Sequence, residues 1–208
     1  MLKQNKLEII YGSQLASKVL QAKVLVVGAG GIGCELVKVL SMTGFKSLAV
    51  IDLDTIDISN LNRQFLFRRQ HVDMPKSKTL KESICAQNPL IKIDDFIGRI
   101  QEDRFGYTFF CGFNLVINAL DNDEARNYVN SMCFSLDIPL VEAGTNGYEA
   151  TCTAIKKGLT QCYQCSDRIK EKSFPVCTIR QRPDKLIHCI VWAKALFEGV
   201  YGAKDGAS

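Results

Sequence analysis

A glycine loop and two polar segments that follow it in the chain carry residue types that suit chemistry on phosphates. A glycine-rich loop, Gly28-Ala29-Gly30-Gly31-Ile32-Gly33, follows a short apolar run and precedes a helical pattern. Further along come Asp52-Leu53-Asp54-Thr55 and Ser59-Asn60-Leu61-Asn62-Arg63-Gln64. Glycines at such a turn let phosphate oxygens reach the backbone N–H groups at the start of a helix. The two polar segments add carboxylates, amides and a guanidinium. This is more than a nicotinamide dinucleotide requires, and it favours a triphosphate that is cleaved.

Single residues in these segments and further along the chain have predicted roles. Asp52 stands roughly 20 residues after the loop, where an acidic residue takes ribose hydroxyls in NAD and ATP sites alike. Arg63 would stabilise the charge that builds on a departing pyrophosphate. Lys76 would supply a second cation, with Lys78 as a competing choice. Asp121 directly follows a buried run, and we expect it to be a Mg²⁺ ligand at the carboxyl edge of a sheet.

Each of these interpretations has a simpler alternative. The glycines could serve helix–sheet packing only, and residues 60–64 could form a polar surface loop. Lys76 could be an ordinary surface lysine. Asp121 could cap the helix that follows it.

The nine cysteines point to several roles, because thiols in a reducing compartment bind metals, act as nucleophiles or fill the core. Cys162 and Cys165 have the spacing of half a structural zinc site, which would need ligands from elsewhere. Cys177 lies in a polar stretch near Arg180 and Arg182, which would favour a thiolate, although an ordinary exposed thiol also fits the local sequence. The other six are expected in the core: Cys34, Cys85, Cys111, Cys133, Cys152 and Cys189.

The elements that must position these residues can be read from the order of the chain. Apolar runs alternate with segments of helical periodicity, which is typical of an α/β protein with a parallel sheet. Strands are predicted at residues 23–27, 48–51, 91–93, 114–119 and 139–142. Helices are predicted at residues 7–20, 31–43, 76–87, 123–136 and 185–198. The expected fold is a Rossmann-like, mostly parallel sheet with helices on both faces. The character of the chain changes after residue 144, where alternating and then cysteine-rich stretches follow.

Composition excludes several functional classes. Hydrophobic residues make up 47% and charged residues 23% of the 208 residues, as in an ordinary globular protein. The net charge of +4 is too small to indicate nucleic-acid binding. No apolar run is long enough for a membrane span, and the first residues lack the apolar core of a signal peptide. We expect a soluble protein of the nucleus, the cytoplasm or both.

In combination, residues 28–33, 52–55, 60–67 and 118–122 resemble the adenylation domain of the ubiquitin-like-modifier activating enzymes, relatives of the bacterial adenylating proteins of molybdopterin and thiamine synthesis. The resemblance runs over about residues 23–202. Residues 174–180 and 188–194 are most similar to the catalytic subunit of the SUMO-activating branch. The resemblance implies an adenylation domain at residues 1–165 and the beginning of a catalytic-cysteine domain at residues 166–208, so that the chain is expected to be a fragment.

The resemblance also implies an activity. ATP and Mg²⁺ would be used to adenylate the C-terminal glycine of a ubiquitin-like modifier, which would then form a thioester with Cys177; the expected modifier is SUMO. Arg63, Lys76 and Asp121 would assist, with Asp121 holding Mg²⁺, Asp52 holding the ribose, and Arg99 and Ile100 bordering adenine. In the full-length protein, Cys162 and Cys165 would bind structural zinc. The implied nucleotide site comprises Gly28, Ala29, Gly30, Gly31, Ile32, Gly33, Asp52, Asp54, Asn60, Leu61, Asn62, Arg63, Gln64, Lys76, Arg99, Ile100, Asp121, Asn122 and Arg126.

The distribution of arginines bears on the expected partners. Adenylating homodimers of the resembled superfamily carry an arginine in the N-terminal helix that reaches the partner's phosphates, but no arginine precedes Arg63 here. The resemblance therefore implies a heterodimer with a smaller subunit that supplies this arginine, and a modifier-conjugating enzyme as a further partner. Two alternatives stay open: an NAD(P)-binding oxidoreductase, and a non-catalytic adenylation fold that only binds a partner subunit.

Overall fold

Six strands and six α-helices make up the part of the chain that the computed structural model describes, residues 2–146, 149–165 and 186–201. The strands are β1 (Lys23–Val27), β2 (Ser47–Asp52), β3 (Lys92–Ile97), β4 (Leu115–Asn118), β5 (Leu140–Asn146) and β6 (Glu149–Ile155). The helices are α1 (Leu2–Gln21), α2 (Gly31–Thr43), α3 (Lys76–Gln87), α4 (Tyr107–Phe110), α5 (Asp123–Ser135) and α6 (Leu186–Tyr201). Short 3₁₀ helices occur at Ile58–Asn60, Arg69–His71 and Asp103–Phe105.

The strands form one sheet in the order β3-β2-β1-β4-β5-β6. The four neighbouring pairs from β3 to β5 are parallel. Val27 at the end of β1 pairs with Ile51 of β2 on one side and with Asn118 of β4 on the other, so these strands end together. The strand order reverses between β1 and β4, and such a switch point is where open α/β sheets bind ligands. The predicted Rossmann-like fold is confirmed.

The centre of the sheet is buried on both faces. The strand β1 sends alternate side chains into two separate cores. Val24 and Val26 belong to one apolar cluster, together with residues of α2 and α3 such as Val37 and Leu80. Leu25 and Val27 belong to the other cluster, which contains the rings of Phe105, Phe110 and Phe113 and residues of α5. A strand buried on both faces reads as a continuous apolar run, and this explains why β1 was predictable from the sequence.

The chain divides into two compact units. One unit contains residues 1–144 and 151–167, and the other contains residues 145–150 and 168–208. In the second unit, α6 exposes large apolar side chains that include Leu186 and Phe197. None of the described helices combines the length and the apolar character needed to cross a membrane. The domain boundary at residue 165 stays a prediction.

Two elements differ in extent from their predictions. α1 starts at Leu2 and is broken at Gly12, whose φ of 76° and ψ of 158° are not helical. β3 extends to Ile97, well beyond the predicted residues 91–93, even though it contains Asp94 and Asp95. Lys23 lies 3.8 Å from Asp94, and Lys81 lies 2.6 Å from Asp95. Because both carboxylates have a lysine partner, two acidic residues in a row do not interrupt the strand.

The prediction that six cysteines lie in the core is only partly right. Cys34 and Cys133 are buried, burial raises the pKa of both thiols to about 12, and Cys85 is half-buried. Cys111, Cys152 and Cys189 are exposed, so their prediction is wrong. Cys111 lies on the turn that ends α4, and Cys152 lies on β6, a strand that buries only its last residue. Cys189 lies on α6, which is apolar on all sides and so gave no sign of which side chains are covered.

Candidate active site

The glycine loop brings the start of α2 against the ends of β1 and β4. A Cβ atom on Gly28, which has a φ of 103°, would lie 2.5 Å from the carbonyl oxygen of Ala119. A Cβ atom on Gly33 would lie 2.0 Å from the carbonyl oxygen of Gly28. Both positions therefore require glycine.

Gly30 differs, because no atom lies within 4 Å of the position that its Cβ atom would occupy. Its φ of −77° is open to any residue, and no side chain caps α2 there. Packing thus does not explain a glycine at this position. Space above an uncapped helix N-terminus, with its outward-pointing N–H groups, is a suitable place for an anion.

Asp52 joins the end of β2 to the glycine loop. Its Oδ2 accepts a hydrogen bond of 2.6 Å from the N–H of Ala29, and its Oδ1 accepts one of 2.8 Å from the N–H of Asp54. Burial raises the pKa of Asp52, against the opposing effects of the Ala29 N–H and the Lys76 charge. Each carboxylate oxygen can accept a second hydrogen bond, so these contacts are compatible with the predicted ribose contact.

The connection between β2 and α3 folds back on itself and brings Lys76 to the site. Thr55 and Pro75 form an isolated antiparallel bridge, and the N–H of Lys76 donates to the carbonyl oxygen of Asp54. The Lys76 ammonium then lies 2.7 Å from Oδ2 of Asp54, although Lys76 is only 8% exposed. Lys78 is exposed and makes no ion pair with any described residue. Lys76 is therefore the lysine next to Asp54 and Asp52.

The segment 59–64 borders the start of α2. Asp57 caps the 3₁₀ helix Ile58–Asn60, and the side chain of Asn60 accepts a hydrogen bond from the N–H of Asp57. Arg63 is exposed, and its Nη1 donates to the carbonyl oxygen of Ser59 at 2.9 Å. Its Cγ lies 3.9 Å from the position that a Cβ atom of Gly31 would occupy. The guanidinium of Arg63 is thus tethered beside the glycine loop by hydrogen bonds within its own segment.

Leu61, Asn62 and Gln64 complete this segment. Leu61 packs against the core, and Asn62 accepts a hydrogen bond of 3.2 Å from Arg63. Gln64 is only 2% exposed, and its Oε1 has no hydrogen-bond partner among the described residues.

Asp121 and Asn122 follow β4 and have different roles. The side chain of Asn122 accepts a hydrogen bond of 2.9 Å from the N–H of Ala125 and caps α5. The alternative that Asp121 is the helix cap is therefore wrong. Asp121 is exposed and makes no hydrogen bond or ion pair with any described residue. A free carboxylate at the carboxyl edge fits the hard oxygen ligands that Mg²⁺ prefers.

A buried polar cluster that was not predicted from the sequence joins the end of β4 to β5 and α5. Asn118 and Glu142 are 0% and 3% exposed, and Nδ2 of Asn118 donates to Oε2 of Glu142 at 2.8 Å. Nε of Arg126 lies 3.3 Å from Oε1 of Glu142 and donates to the carbonyl oxygen of Leu120 at 3.1 Å. A glutamate within an apolar strand was the signal that could have revealed this cluster. Arg126 was expected at the nucleotide, whereas its guanidinium is held here by Leu120 and Glu142.

Arg99 and Ile100 follow β3 on the far side of β2. The N–H of Gly98 donates to the carbonyl oxygen of Asp52, which fixes this segment beside the end of β2. The N–H of Arg99 donates to Oε1 of Glu102 at 2.7 Å, and Ile100 is buried in the core. The structure therefore brings the predicted adenine-bordering segment next to Asp52, with the Arg99 side chain exposed.

The two cysteines of the predicted half zinc site lie together. Their Sγ atoms are 3.0 Å apart, and the shared hydrogen bond lowers the pKa of Cys162 and raises that of Cys165. Tyr163 between them anchors the turn to α5, since its hydroxyl donates to Oδ1 of Asp123 at 2.7 Å. Within the described residues no group of three or more potential metal ligands occurs. Two thiols fit half of a structural zinc site. Cys177, with Arg180 and Arg182, lies outside the described residues.

A model of the ThiF family matches residues 2–196. This chain belongs to the ThiF family. It is 53% identical over 194 residues to SUMO-activating enzyme subunit 2 of Dictyostelium discoideum, an alignment that covers 93% of this chain and 29% of the relative. It is 48% identical over 189 residues to SUMO-activating enzyme subunit uba-2 of Caenorhabditis elegans, covering 90% and 32% respectively. The ThiF-family chain thus spans about a third of the length of these curated relatives.

The fold of this ThiF-family chain also matches a solved structure. A crystal structure of E. coli MccB with ATP superimposes with a TM-score of 0.63 and 25% sequence identity, covering 86% of this chain and 49% of MccB.

The contrast between two glycines of the loop gives a first prediction. We expect Gly33→Ala to destabilise the fold by about 3 kcal/mol or more, because its Cβ atom would overlap a backbone oxygen that cannot move away. Gly30→Ala should change the free energy of unfolding by no more than about 1 kcal/mol, since its Cβ atom meets open space. Gly30→Ala should nevertheless weaken ATP binding about tenfold, because the added methyl group would occupy the space above α2.

Urea unfolding and calorimetric ATP titration of the two variants measure these effects. Equal stability of the two variants would contradict the assignment of Gly33 to packing. Unchanged ATP affinity in Gly30→Ala would contradict the assignment of Gly30 to the ligand.

Proposed function

We propose that this chain is the adenylation part of the catalytic subunit of a SUMO-activating enzyme. It would use ATP and Mg²⁺ to adenylate the C-terminal carboxylate of the modifier. One observation carries the proposal: the uncapped start of α2, a buried lysine and a carboxylate without a partner among the described residues lie along the same sheet edge. The names of the two curated relatives support SUMO as the modifier, and the ATP in the MccB structure supports ATP as the nucleotide.

The first step transfers AMP to the modifier. An oxygen of the modifier's C-terminal carboxylate attacks the α-phosphorus, and the bond from this phosphorus to the bridging oxygen breaks, so that pyrophosphate departs. The carboxylate is already a nucleophile, and no general base is required. The protein therefore contributes position and charge stabilisation.

Three residues would act on the phosphates in this step. Arg63 is tethered only to Ser59 and Asn62 among the described residues, and these contacts could be exchanged for phosphate oxygens. Lys76 is held 2.7 Å from Asp54, which keeps its ammonium at the site. Asp121 would hold Mg²⁺, which when bound neutralises charge on the phosphates.

The second step would form a thioester. The thiolate of Cys177 would attack the acyl carbon of the adenylate, and AMP would leave as the C–S bond forms. Arg180 and Arg182 would favour the thiolate form. This assignment of Cys177 rests on the sequence resemblance.

The remaining assignments extend the proposal to the longer protein. A smaller subunit would complete the heterodimer and supply the arginine that α1 lacks. A modifier-conjugating enzyme would accept the activated modifier. Zinc would bind Cys162 and Cys165 together with ligands from elsewhere in the protein. The protein would act in the nucleus, the cytoplasm or both.

The two chemical steps can be separated by two substitutions. In the protein assembled with its partner subunit, Asp121→Ala should abolish modifier-dependent pyrophosphate exchange, because the Mg²⁺ ligand is lost. Cys177→Ala should spare exchange and remove the thioester that a non-reducing gel detects. Exchange that persists in Asp121→Ala would contradict the first assignment. A thioester that persists in Cys177→Ala would contradict the second.

Lys76 and Lys78 form a matched pair for a further test. Lys76→Met should lower the rate of pyrophosphate exchange by about a hundredfold or more, because an ammonium beside the phosphates is removed. Lys78→Met should leave the rate within about twofold, since Lys78 is an exposed lysine that makes no ion pair with any described residue. The same exchange assay measures both variants, and equal loss in the two would contradict the assignment to Lys76.

A further inference from the structure

The backbone at Asp121 is held on both sides, while its carboxylate makes no hydrogen bond or ion pair with the described residues. On one side, the carbonyl oxygen of Leu120 accepts hydrogen bonds from Nε and Nη2 of Arg126. On the other side, Asn122 caps α5 through the N–H of Ala125. The carboxylate is thus presented at the sheet edge by a turn that is hydrogen-bonded on both sides, and it is available to a ligand.

The guanidinium that holds Leu120 is itself oriented by Glu142. Nε of Arg126 lies 3.3 Å from Oε1 of Glu142, and the two side chains are 16% and 4% exposed. A carboxylate buried to this degree is costly unless it is paired and hydrogen-bonded. Glu142 satisfies both conditions through Arg126 and through Nδ2 of Asn118.

The position of this pair in the sheet connects it to the switch point. Asn118 at the end of β4 is the register partner of Glu142 within β5, and Asn118 is also the register partner of Val27 in β1. Gly144 leaves room for the guanidinium, because a Cβ atom there would lie 2.9 Å from Nη2 of Arg126. The cluster therefore links β4, β5 and α5 at the place where Asp121 leaves the sheet.

We propose that Glu142 is a positioning residue for Asp121, acting through Arg126 and the Leu120 carbonyl so that the Asp121 carboxylate meets the metal bound to the nucleotide. The inference rests on the proposed function. The buried pair then does more than stabilise the sheet. It holds the Leu120 carbonyl and so sets the direction of the Asp121 carboxylate. Groups that orient a metal ligand in this way typically change metal affinity by about 10–100-fold when they are removed.

The test compares ATP binding by calorimetry with Mg²⁺ and with EDTA, using the full-length protein in complex with its partner subunit. Glu142→Gln keeps the size of the side chain and an oxygen for Asn118 but removes the charge opposite Arg126. We expect it to weaken ATP binding about tenfold in Mg²⁺ and to leave the affinity in EDTA within about twofold. Lys81→Gln, which breaks the ion pair with Asp95 of β3, a strand separated from β4 by β2 and β1, is the matched control and should change neither affinity.

Two further variants keep the result decisive. Gly144→Ala displaces the guanidinium without removing any polar group, and it should reproduce the Mg²⁺-specific loss if Glu142→Gln does not fold. Combining Asp121→Asn with Glu142→Gln should cause no greater loss of Mg²⁺ dependence than Asp121→Asn alone, because both changes act on one contact.

The possible outcomes distinguish a failure of the positioning role of Glu142 from a failure of the proposed function. Equal loss of affinity in Mg²⁺ and EDTA, or no loss at all, would overturn the positioning role while leaving the proposed function intact. Additive losses in the double variant would overturn it as well. A wild-type protein that does not bind ATP would contradict the proposed function itself, and the positioning role with it.

Discussion

The close approach of α2 to the ends of β1 and β4 is the constraint on which the site depends. Gly28 and Gly33 have no room for a side chain, because the backbone of Ala119 and of Gly28 itself fills the space. This contact brings the N-terminus of α2 next to the turn that carries Asp121. It also leaves the space above Gly30 open, so that packing and ligand binding are assigned to different glycines of one loop.

The charged groups around this contact are held in ways that suit their proposed roles. Lys76 is largely buried and paired with Asp54, so a cation is fixed in place at the sheet edge. Arg63 is exposed and tethered by a carbonyl and an amide oxygen, which a phosphate could replace. Asp121 has a fixed backbone and a free carboxylate among the described residues. A site with this distribution can neutralise a departing pyrophosphate without supplying a general base.

Much of this arrangement could be predicted from residue types and spacing. β1 and the glycine loop are strong local signals, and the carboxyl ends of parallel strands bring Asp52 and Asp121 to one edge without further information. The role of Asn122 as the cap of α5 could not be separated from Asp121, because either residue type serves as a cap. The cluster of Asn118, Arg126 and Glu142 depends on the pairing of β4 with β5, which no local pattern specifies.

The exposure of the cysteines and the length of β3 also depend on contacts that the local sequence does not show. Cys152 lies on β6 and Cys189 on α6, and local apolar neighbours do not reveal whether a face is covered. Asp94 and Asp95 are accommodated within β3 because Lys23 of β1 and Lys81 of α3 pair with them. Sequence patterns thus predicted the positions that depend on local geometry, and tertiary pairing decided the others.

The most direct test of this account is a crystal structure of the protein with ATP and Mg²⁺. We expect a triphosphate above the N-terminus of α2, with Arg63 turned from Ser59 to the phosphates and Asp121 at the metal. A nucleotide bound elsewhere, or phosphates from which both Arg63 and Asp121 are turned away, would contradict it.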